Sequence, residues 1–183
     1  RAEYINELQE QLLRDDAYIP NRPAKDEKDL ARKAVEIFAS STSSGNAKHL
    51  INGYSRDVQE RDEINHWQSE GLPANVNFEW ETPVTLSKVE IKCDTNTRRN
   101  LMLRHDSRAD ELFGVTVPPE LLKSLKLEAR IKGKWTEIAH EQENELRLIK
   151  FHFDAIKTTA IRITLEATYG AKVGRLYEVR CYS

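Results

Sequence analysis

The chain of 183 residues carries 28 basic and 30 acidic side chains, a formal net charge of −2, and 39% of its residues are hydrophobic. This length and composition fit one globular domain with a short extension, large enough to build a core without metal or disulfide staples. The charges are spread evenly along the chain, which argues against nucleic acid as a partner. No apolar run approaches the roughly 18 residues of a membrane span, so no membrane partner is expected.

The first 33 residues predict a helix and a strap that precede the main domain. Apolar residues recur every three to four positions over residues 2–14, which is typical of an amphipathic helix. Pro20 and Pro23 then favour an extended, proline-containing strap, and the composition of residues 23–33 predicts a second, short helix. Because the chain starts with arginine rather than methionine, residues 1–33 are expected to be a linker and the tail of a missing upstream domain.

From residue 34 to the end, the hydrophobic period is close to two, which is typical of strands with one buried face. A hairpin is predicted around Gly133. About eight or nine strands without long helices between them predict an all-β, antiparallel β-sandwich over residues 34–183. The segments with this period are 35–39, 76–80, 84–93, 125–131, 135–138, 146–153, 161–165 and 176–181.

Two long irregular stretches, residues 53–74 and 94–119, interrupt the strands. Loops of this length in a compact domain commonly carry function. Trp67, Trp80 and Trp135 are all predicted to lie in the core, with sugar stacking as the alternative for Trp67.

Catalytic and zinc-binding motifs are not apparent in the sequence. The five histidines show neither HxH nor HExxH spacing, and no serine lies in a nucleophile elbow. Cys93 and Cys181 form no CxxC pair, and we predict two separately buried thiols, with one disulfide as the alternative. This fragment is therefore predicted not to be an enzyme.

Several segments resemble, in order, the strands and turns of discoidin or coagulation-factor type C domains. The opening segments are VEIFASST (35–42), AKHLING (47–53), NHWQSE (65–70), VNFEW (76–80) and VTLSKVEI (84–91), and the closing segment is GRLYEVRCY (174–182). The resemblance implies a galactose-binding-like β-sandwich of the jelly-roll type. It also implies a carbohydrate as a partner.

A second resemblance involves the first segment of the chain. Residues 4–20, YINELQEQLLRDDAYIP, look like the tail of the catalytic region in a family of bacterial FAD-dependent oxidoreductases, some of which carry a discoidin-like C-terminal domain. Asp94-Thr95-Asn96 and RNLML (99–103) look like that appended domain. The resemblance implies FAD in a missing upstream domain and favours a periplasmic or secreted location. No Gly-x-Gly-x-x-Gly is present here, so no FAD site is expected in this fragment.

A calcium site is the metal site that the first resemblance implies. Discoidin-like domains often hold calcium near an Asp-Gly turn, where carboxylate and backbone oxygens suit a hard cation. The corresponding turn here is Asn52-Gly53, and Asp57, Asp62 or Glu178 could add a carboxylate. We predict Asn52, Asp57 and Glu178 as calcium ligands, with an ordinary Asn-Gly turn as the alternative.

The second long loop contains four arginines within eleven residues, at 98–108. Guanidinium groups bind carboxylates, phosphates or vicinal hydroxyls with two hydrogen bonds. The predicted ligand-binding residues are Arg98, Arg99, Asn100, Arg104 and His105. We expect a non-catalytic accessory domain that binds carbohydrate, with residues 53–74 as the opposite wall. The alternative is a structural domain that only docks on the catalytic domain of its parent enzyme.

Overall fold

The computed structural model describes Pro23 and residues 26–57, 64–96 and 117–183. In these ranges the backbone is mainly antiparallel β-sheet, and the helical elements are two 3₁₀ helices, Leu30–Lys33 and Ala47–Ile51. Within the same ranges, no helix has the length and apolar character needed to cross a membrane. The helix predicted over residues 2–14 lies outside the described part of the chain.

Eight strands are present in the described ranges. They are β1 (Glu36–Ala39), β2 (Ser44–Gly45), β3 (Trp67–Gln68), β4 (Ala74–Cys93), β5 (Leu122–Ile131), β6 (Lys134–Glu141), β7 (Leu148–Thr168) and β8 (Arg175–Tyr182). Their order in the sheet is β2-β3-β8-β4-β7-β5-β6, and β1 pairs with β4. The hairpin predicted around Gly133 joins β5 to β6.

The two long strands, β4 and β7, belong to both layers of the sandwich. The first part of β4, 74–79, lies between β1 and β7, whereas its last part, 88–93, lies between β8 and β7. The ladder shifts register between Glu79 and Val84 and again between Leu86 and Lys88. The separate strands predicted at 76–80 and 84–93 are therefore one strand, because pairing with β7 continues past the irregularities.

We name the two layers after their central strands. The β5 layer contains β1, the first part of β4, the last part of β7, β5 and β6. The β8 layer contains β2, β3, β8, the last part of β4 and the first part of β7.

The inward faces of both layers form one hydrophobic core. Large side chains that are completely buried include Leu50, Trp67, Phe78, Leu86, Ile91, Leu125, Leu127, Ile161, Ile163 and Leu165. The core positions predicted for Trp67 and Trp80 are confirmed, with 0% and 5% of each residue exposed. Cys93 and Cys181 are two buried, unpaired thiols, as predicted, and burial raises the pKa of Cys93 to about 12.

Trp135 does not lie in the core, so its predicted position is wrong. It pairs with Arg130 on the edge strand β6, and its half-buried ring lies over guanidinium groups on the outer face of the β5 layer. Val35 and Leu146 were also expected on buried faces, but both are 66% exposed. Each lies just outside a strand, before β1 and β7 respectively, where the alternation no longer applies.

A strap formed by residues 26–34 closes one side of the sandwich. Asp29 Oδ1 accepts hydrogen bonds from the backbone N–H groups of Ala31 and Cys181, both at 2.9 Å. The indole of Trp80 donates to the carbonyl of Leu30 at 2.8 Å, and the Tyr182 hydroxyl donates to Asp26 at 2.9 Å. The short helix predicted over 23–33 is limited in the described residues to Leu30–Lys33, with Asp29 as its N-cap.

Apart from the β5–β6 hairpin, the described ends of the strand connections gather at one end of the sandwich, which we call the loop end. The N–H of Ser69 donates to the carbonyl of Gly174 at 2.9 Å. A Cβ placed on Gly174 would lie 2.6 Å from Leu165 Cδ1 and 3.1 Å from Leu72 Cδ2. Since Gly174 precedes β8 and Leu72 precedes β4, the two layers meet here. The opposite end, which we call the corner end, contains the exposed bend at residues 81–83 of β4.

Gly45 is a position where the fold requires glycine. Its φ is 69°, and a Cβ would lie 1.8 Å from the carbonyl oxygen of His66. Gly133 has a similar φ of 80° but open space around it. We expect Gly133→Ala to cost about 1 kcal/mol through its left-handed backbone alone, and Gly45→Ala to cost about 3 kcal/mol or more because β2 must also move away from His66. Urea unfolding of both variants measures the difference, and equal losses would contradict the close approach.

Candidate functional site

A row of hydrogen-bonded polar side chains crosses the loop end of the β8 layer. Arg175 is at its centre, where Nε donates to Gln68 Oε1 at 2.9 Å and Nη1 donates to Asp94 Oδ2 at 3.0 Å. Gln68 donates in turn to Ser43 Oγ at 3.0 Å. Asp94 also accepts from the N–H of Asn96 at 2.8 Å. The row therefore fixes the point at which the second long loop leaves the sandwich.

The two ends of that second loop are joined at their base. Asn96 Nδ2 donates to Glu120 Oε1 at 2.9 Å, and the N–H of Leu121 donates to the carbonyl of Pro118 at 3.0 Å. The bond between Asn96 and Glu120 therefore closes the base of the second loop. The predicted ligand-binding residues lie outside the described part of the chain, and their role stays a prediction. They are Arg98, Arg99, Asn100, Arg104 and His105.

The first long loop is attached to the same strand through Asp57. This carboxylate accepts from the N–H of Asn65 at 2.8 Å, from His66 Nδ1 at 2.9 Å and from the Tyr177 hydroxyl at 3.2 Å. The carboxylate and the imidazole are both almost completely buried. Because Tyr177 and Arg175 are two residues apart on β8, the described ends of both long loops converge on one strand.

The charges of this cluster follow from burial and hydrogen bonding. Burial lowers the pKa of His66 below its ordinary value, although Asp57 favours the protonated ring. Burial opposes ionisation of Asp57, but the hydrogen bonds from Asn65 and His66 outweigh it and hold the pKa of this carboxyl below its ordinary value. At neutral pH a neutral imidazole therefore donates from Nδ1 to a carboxylate, and its Nε2 accepts from Ser44 Oγ at 3.1 Å.

Ser44, His66 and Asp57 thus stand in the hydroxyl, imidazole, carboxylate order of a serine hydrolase triad. An imidazole that transfers protons to a substrate has to reach it, whereas only 4% of His66 is exposed. Its ring also packs edge to face against Tyr177, with 5.8 Å between centroids. We interpret the hydrogen bonds that link Ser44, His66 and Asp57 as structural contacts that hold β2, the first loop and β8 together.

The predicted calcium ligands are brought together only in part. Asn52 donates to Asn65 Oδ1 at 2.8 Å and accepts from the N–H of Tyr54 at 2.9 Å, so it lies beside the Asp57 cluster. Glu178 instead forms ion pairs with Lys92 and with Arg180, the latter at 2.7 Å. In the ranges that the structure describes, no group of three or more His, Cys, Asp or Glu side chains could hold a metal ion. The calcium site stays a prediction.

Arg147 is a loop-end residue that the sequence did not single out. Its Nη2 donates to the carbonyl of Ser55, and its guanidinium lies 5.6 Å from the centroid of the Tyr177 ring. Within the described residues, its Nε is the one buried side-chain nitrogen or oxygen without a hydrogen-bond partner. Arg147 follows an acidic run in the sequence, and no local pattern there indicates that its side chain contacts the first loop.

No protein-family model matches the chain, and no curated protein matches it either. Solved structures do match. Chitosan-binding module 1 of a chitosanase/glucanase from Paenibacillus sp. IK-5 has a TM-score of 0.61 and 15% identity, covering 85% of this chain and 98% of the module. The family 32 carbohydrate-binding module of Clostridium perfringens NanJ, solved with galactose, has a TM-score of 0.58 and 15% identity, covering 81% and 93%.

A third similar structure is the family 32 carbohydrate-binding module from Streptococcus pneumoniae EndoD. Its TM-score is 0.57 and its identity 14%, covering 82% of this chain and 98% of the module. At such identities the likeness concerns the fold, and the predicted galactose-binding-like β-sandwich is confirmed. The resemblance of residues 4–20 to an FAD-dependent oxidoreductase is not tested by these structures and stays a prediction.

The titration of His66 and Asp57 makes stability fall in acid. The unfolded state binds a proton at His66 more readily than the folded state, so stability is lost as the pH falls below about 6.5. Asp57, whose folded pKa is also lowered, adds a further loss as the pH falls below about 3.9. Urea unfolding at pH 7, 6 and 5 should show the first loss in the wild type.

Two matched variants test whether His66 causes the loss of stability between pH 7 and pH 5. Gln can donate and accept at the two positions that the imidazole occupies, so His66→Gln should flatten the dependence between pH 7 and 5. His152→Gln, which removes an exposed histidine of β7, should keep the wild-type slope. Identical slopes for His66→Gln and the wild type would contradict the assignment.

Proposed function

We propose that the chain is a non-catalytic carbohydrate-binding module, accessory to a larger enzyme, and that it binds sugar at its loop end. The observation that carries this proposal is the anchoring of both long loops on neighbouring residues of β8. Asp57 bonds to Tyr177, and Asp94 bonds to Arg175. Binding sites on β-sandwiches are commonly built from loops positioned by a rigid scaffold in this way.

The side chains available at this end suit a ligand rich in hydroxyl groups. The arginines within residues 98–108 follow directly after the anchored Asp94–Asn96 segment. A guanidinium fork donates two parallel hydrogen bonds, a geometry that matches vicinal hydroxyls. The half-buried Arg147 adds a guanidinium close to Tyr177 and the first loop. Because the bases of both loops are already ordered by hydrogen bonds, less conformational freedom is lost on binding.

The similar structures support a sugar as the ligand. One was solved with galactose and another is described as a chitosan-binding module. We propose a galactose-type sugar for this chain, since the axial hydroxyl of such a sugar adds a further group that an arginine fork can contact. That the parent enzyme is an FAD-dependent oxidoreductase rests only on the resemblances of residues 4–20, 94–96 and 99–103.

The direction of the chain favours ligand binding over docking through the loops. The strap reaches the sandwich at Asp26, which accepts from Tyr182. Tyr182 pairs with Lys88, on the corner side of β4. The described chain therefore enters the sandwich at the corner end, opposite the loop end. The alternative, a structural domain that docks through its loops, would need the connection to fold back along the sandwich.

Titration calorimetry of the full 183-residue chain tests the proposal. Galactose and N-acetylgalactosamine are the primary probes, with chitosan oligosaccharides as a third. The wild type should bind at least one of them, and Arg98→Ala/Arg99→Ala should weaken its affinity at least tenfold, or about 1.4 kcal/mol. The control variant Lys134→Ala/Lys157→Ala also removes two positive charges, but from exposed positions at the corner end, and should leave affinity unchanged.

Two results would count against this function. Absence of binding to all three probes would favour the structural alternative. Equal weakening by the loop variant and the corner variant would indicate a non-specific effect of charge rather than a site. Circular dichroism of each variant separates loss of binding from loss of fold.

A further inference from the structure

The outer face of the β5 layer carries an ordered row of side chains that the loop end does not use. Neighbouring residues on its five strands are in register across the sheet, and adjacent strands lie about 4.8 Å apart, so the row is about 19 Å long. In order across the layer, the row consists of Phe38, Asn77, Arg162, Glu128 and Glu137.

Aromatic side chains stand at both edges of this face. Phe38, on the edge strand β1, is 42% exposed. Trp135, on the opposite edge strand β6, is half-buried, and its ring centroid lies 4.5 Å from Arg162 Cζ and 5.0 Å from Arg130 Cζ. Packing on two guanidinium groups orients the indole before any ligand arrives. A pre-oriented aromatic ring offers apolar contact area at little cost in entropy.

The middle of the face is polar and held in place by paired charges. Arg162 donates to both oxygens of Glu128, at 2.8 and 2.9 Å, and Arg130 pairs with Glu79. Glu128 points away from the core, yet only 8% of it is exposed. The hydrogen bond from Arg162 holds the pKa of Glu128 below its ordinary value, so the pair is ionic at neutral pH.

These groups match the chemistry of hydroxyl groups better than that of charged ligands. An ionised carboxylate has about four acceptor sites, so the more exposed Glu79 can accept from a hydroxyl while it holds Arg130. Glu128 is too buried for this and instead holds Arg162 in place. The guanidinium groups can donate to the same hydroxyls. Because Arg162 pairs with Glu128 and Arg130 with Glu79, the face presents no strong net field to an ionic polymer.

We propose that the outer face of the β5 layer binds an extended, uncharged polysaccharide chain that lies across the strands between Phe38 and Trp135. Sugar rings stack on the two aromatic side chains, and Glu79 and the guanidiniums bind the hydroxyls between them. This site is separate from the loop end, and it does not rest on the function proposed above.

Affinity electrophoresis of the full chain tests this site. Native gels would contain hydroxyethyl cellulose, xylan, galactan, galactomannan or mixed-linkage β-glucan, with polygalacturonate as the charged control. We expect at least one neutral polymer to retard the wild type. Phe38→Ser and Trp135→Ser should each reduce that retardation at least fivefold. Val35→Ser, which removes an even more exposed apolar side chain just outside β1, should not.

Tryptophan fluorescence of the wild type provides a second measurement. It does not require that any variant folds. Trp67 and Trp80 are buried and Trp135 is half-buried, so acrylamide quenching reports mainly on Trp135. The retarding polymer should protect this emission from quenching. Unfolding midpoints of both serine variants should be measured alongside, since Trp135 packs on two arginines.

The outcomes separate this site from the loop end. Arg98→Ala/Arg99→Ala should keep full retardation even if it loses binding of monosaccharides. Three results would overturn the proposal: no retardation by any neutral polymer, retardation that Phe38→Ser leaves unchanged, or retardation that only the loop variant abolishes. If this face bound a protein partner instead, no neutral polymer would retard the chain.

Discussion

The antiparallel pairing of β4 with β7 is the constraint on which the rest of the structure depends. Each strand passes through both layers, so the two sheets cannot separate without breaking the longest ladder of the molecule. The register shifts near Pro83 turn both strands and bring their two ends to the same side. Every long connection therefore leaves the sandwich at one end, and β8 runs between the bases of the two longest. The convergence of the loops is thus a consequence of how the core closes.

Charged groups hold this architecture in two different ways. At the loop end, buried carboxylates are each paired with a side chain of β8, as Asp94 is with Arg175. Removal of one member would leave a buried charge without compensation, which is strongly destabilising. On the outer face of the β5 layer, by contrast, the ion pair of Arg130 with Glu79 is more exposed and adds less to stability. The order of the ion pairs across the sheet therefore determines the chemistry of the outer surface more than the stability of the fold.

Local patterns in the sequence predicted the strands well and their connections less well. The period of two marked most strand positions, and glycine at 133 marked the hairpin, because both signals depend on neighbours in the chain. Residues 81–83 separate two segments of period two and so predict two strands, but pairing with β7 on both sides of these residues continues a single strand. Trp135 was misplaced because alternation cannot decide which face of an edge strand is buried. The contact of Asp57 with Tyr177 spans 120 positions, so no local signal could indicate it.

The strap has a consequence for how such a domain can be joined to others. Asp26 and Asp29 bond to Tyr182 and Cys181, so the incoming and outgoing chain lie side by side at the corner end. A domain whose termini are adjacent can be inserted into a surface loop of another protein, or repeated in tandem, without stretching its core. It can also be circularly permuted by a short linker between these ends. The two aspartates thus fix the point where the chain enters the sandwich beside the end of β8.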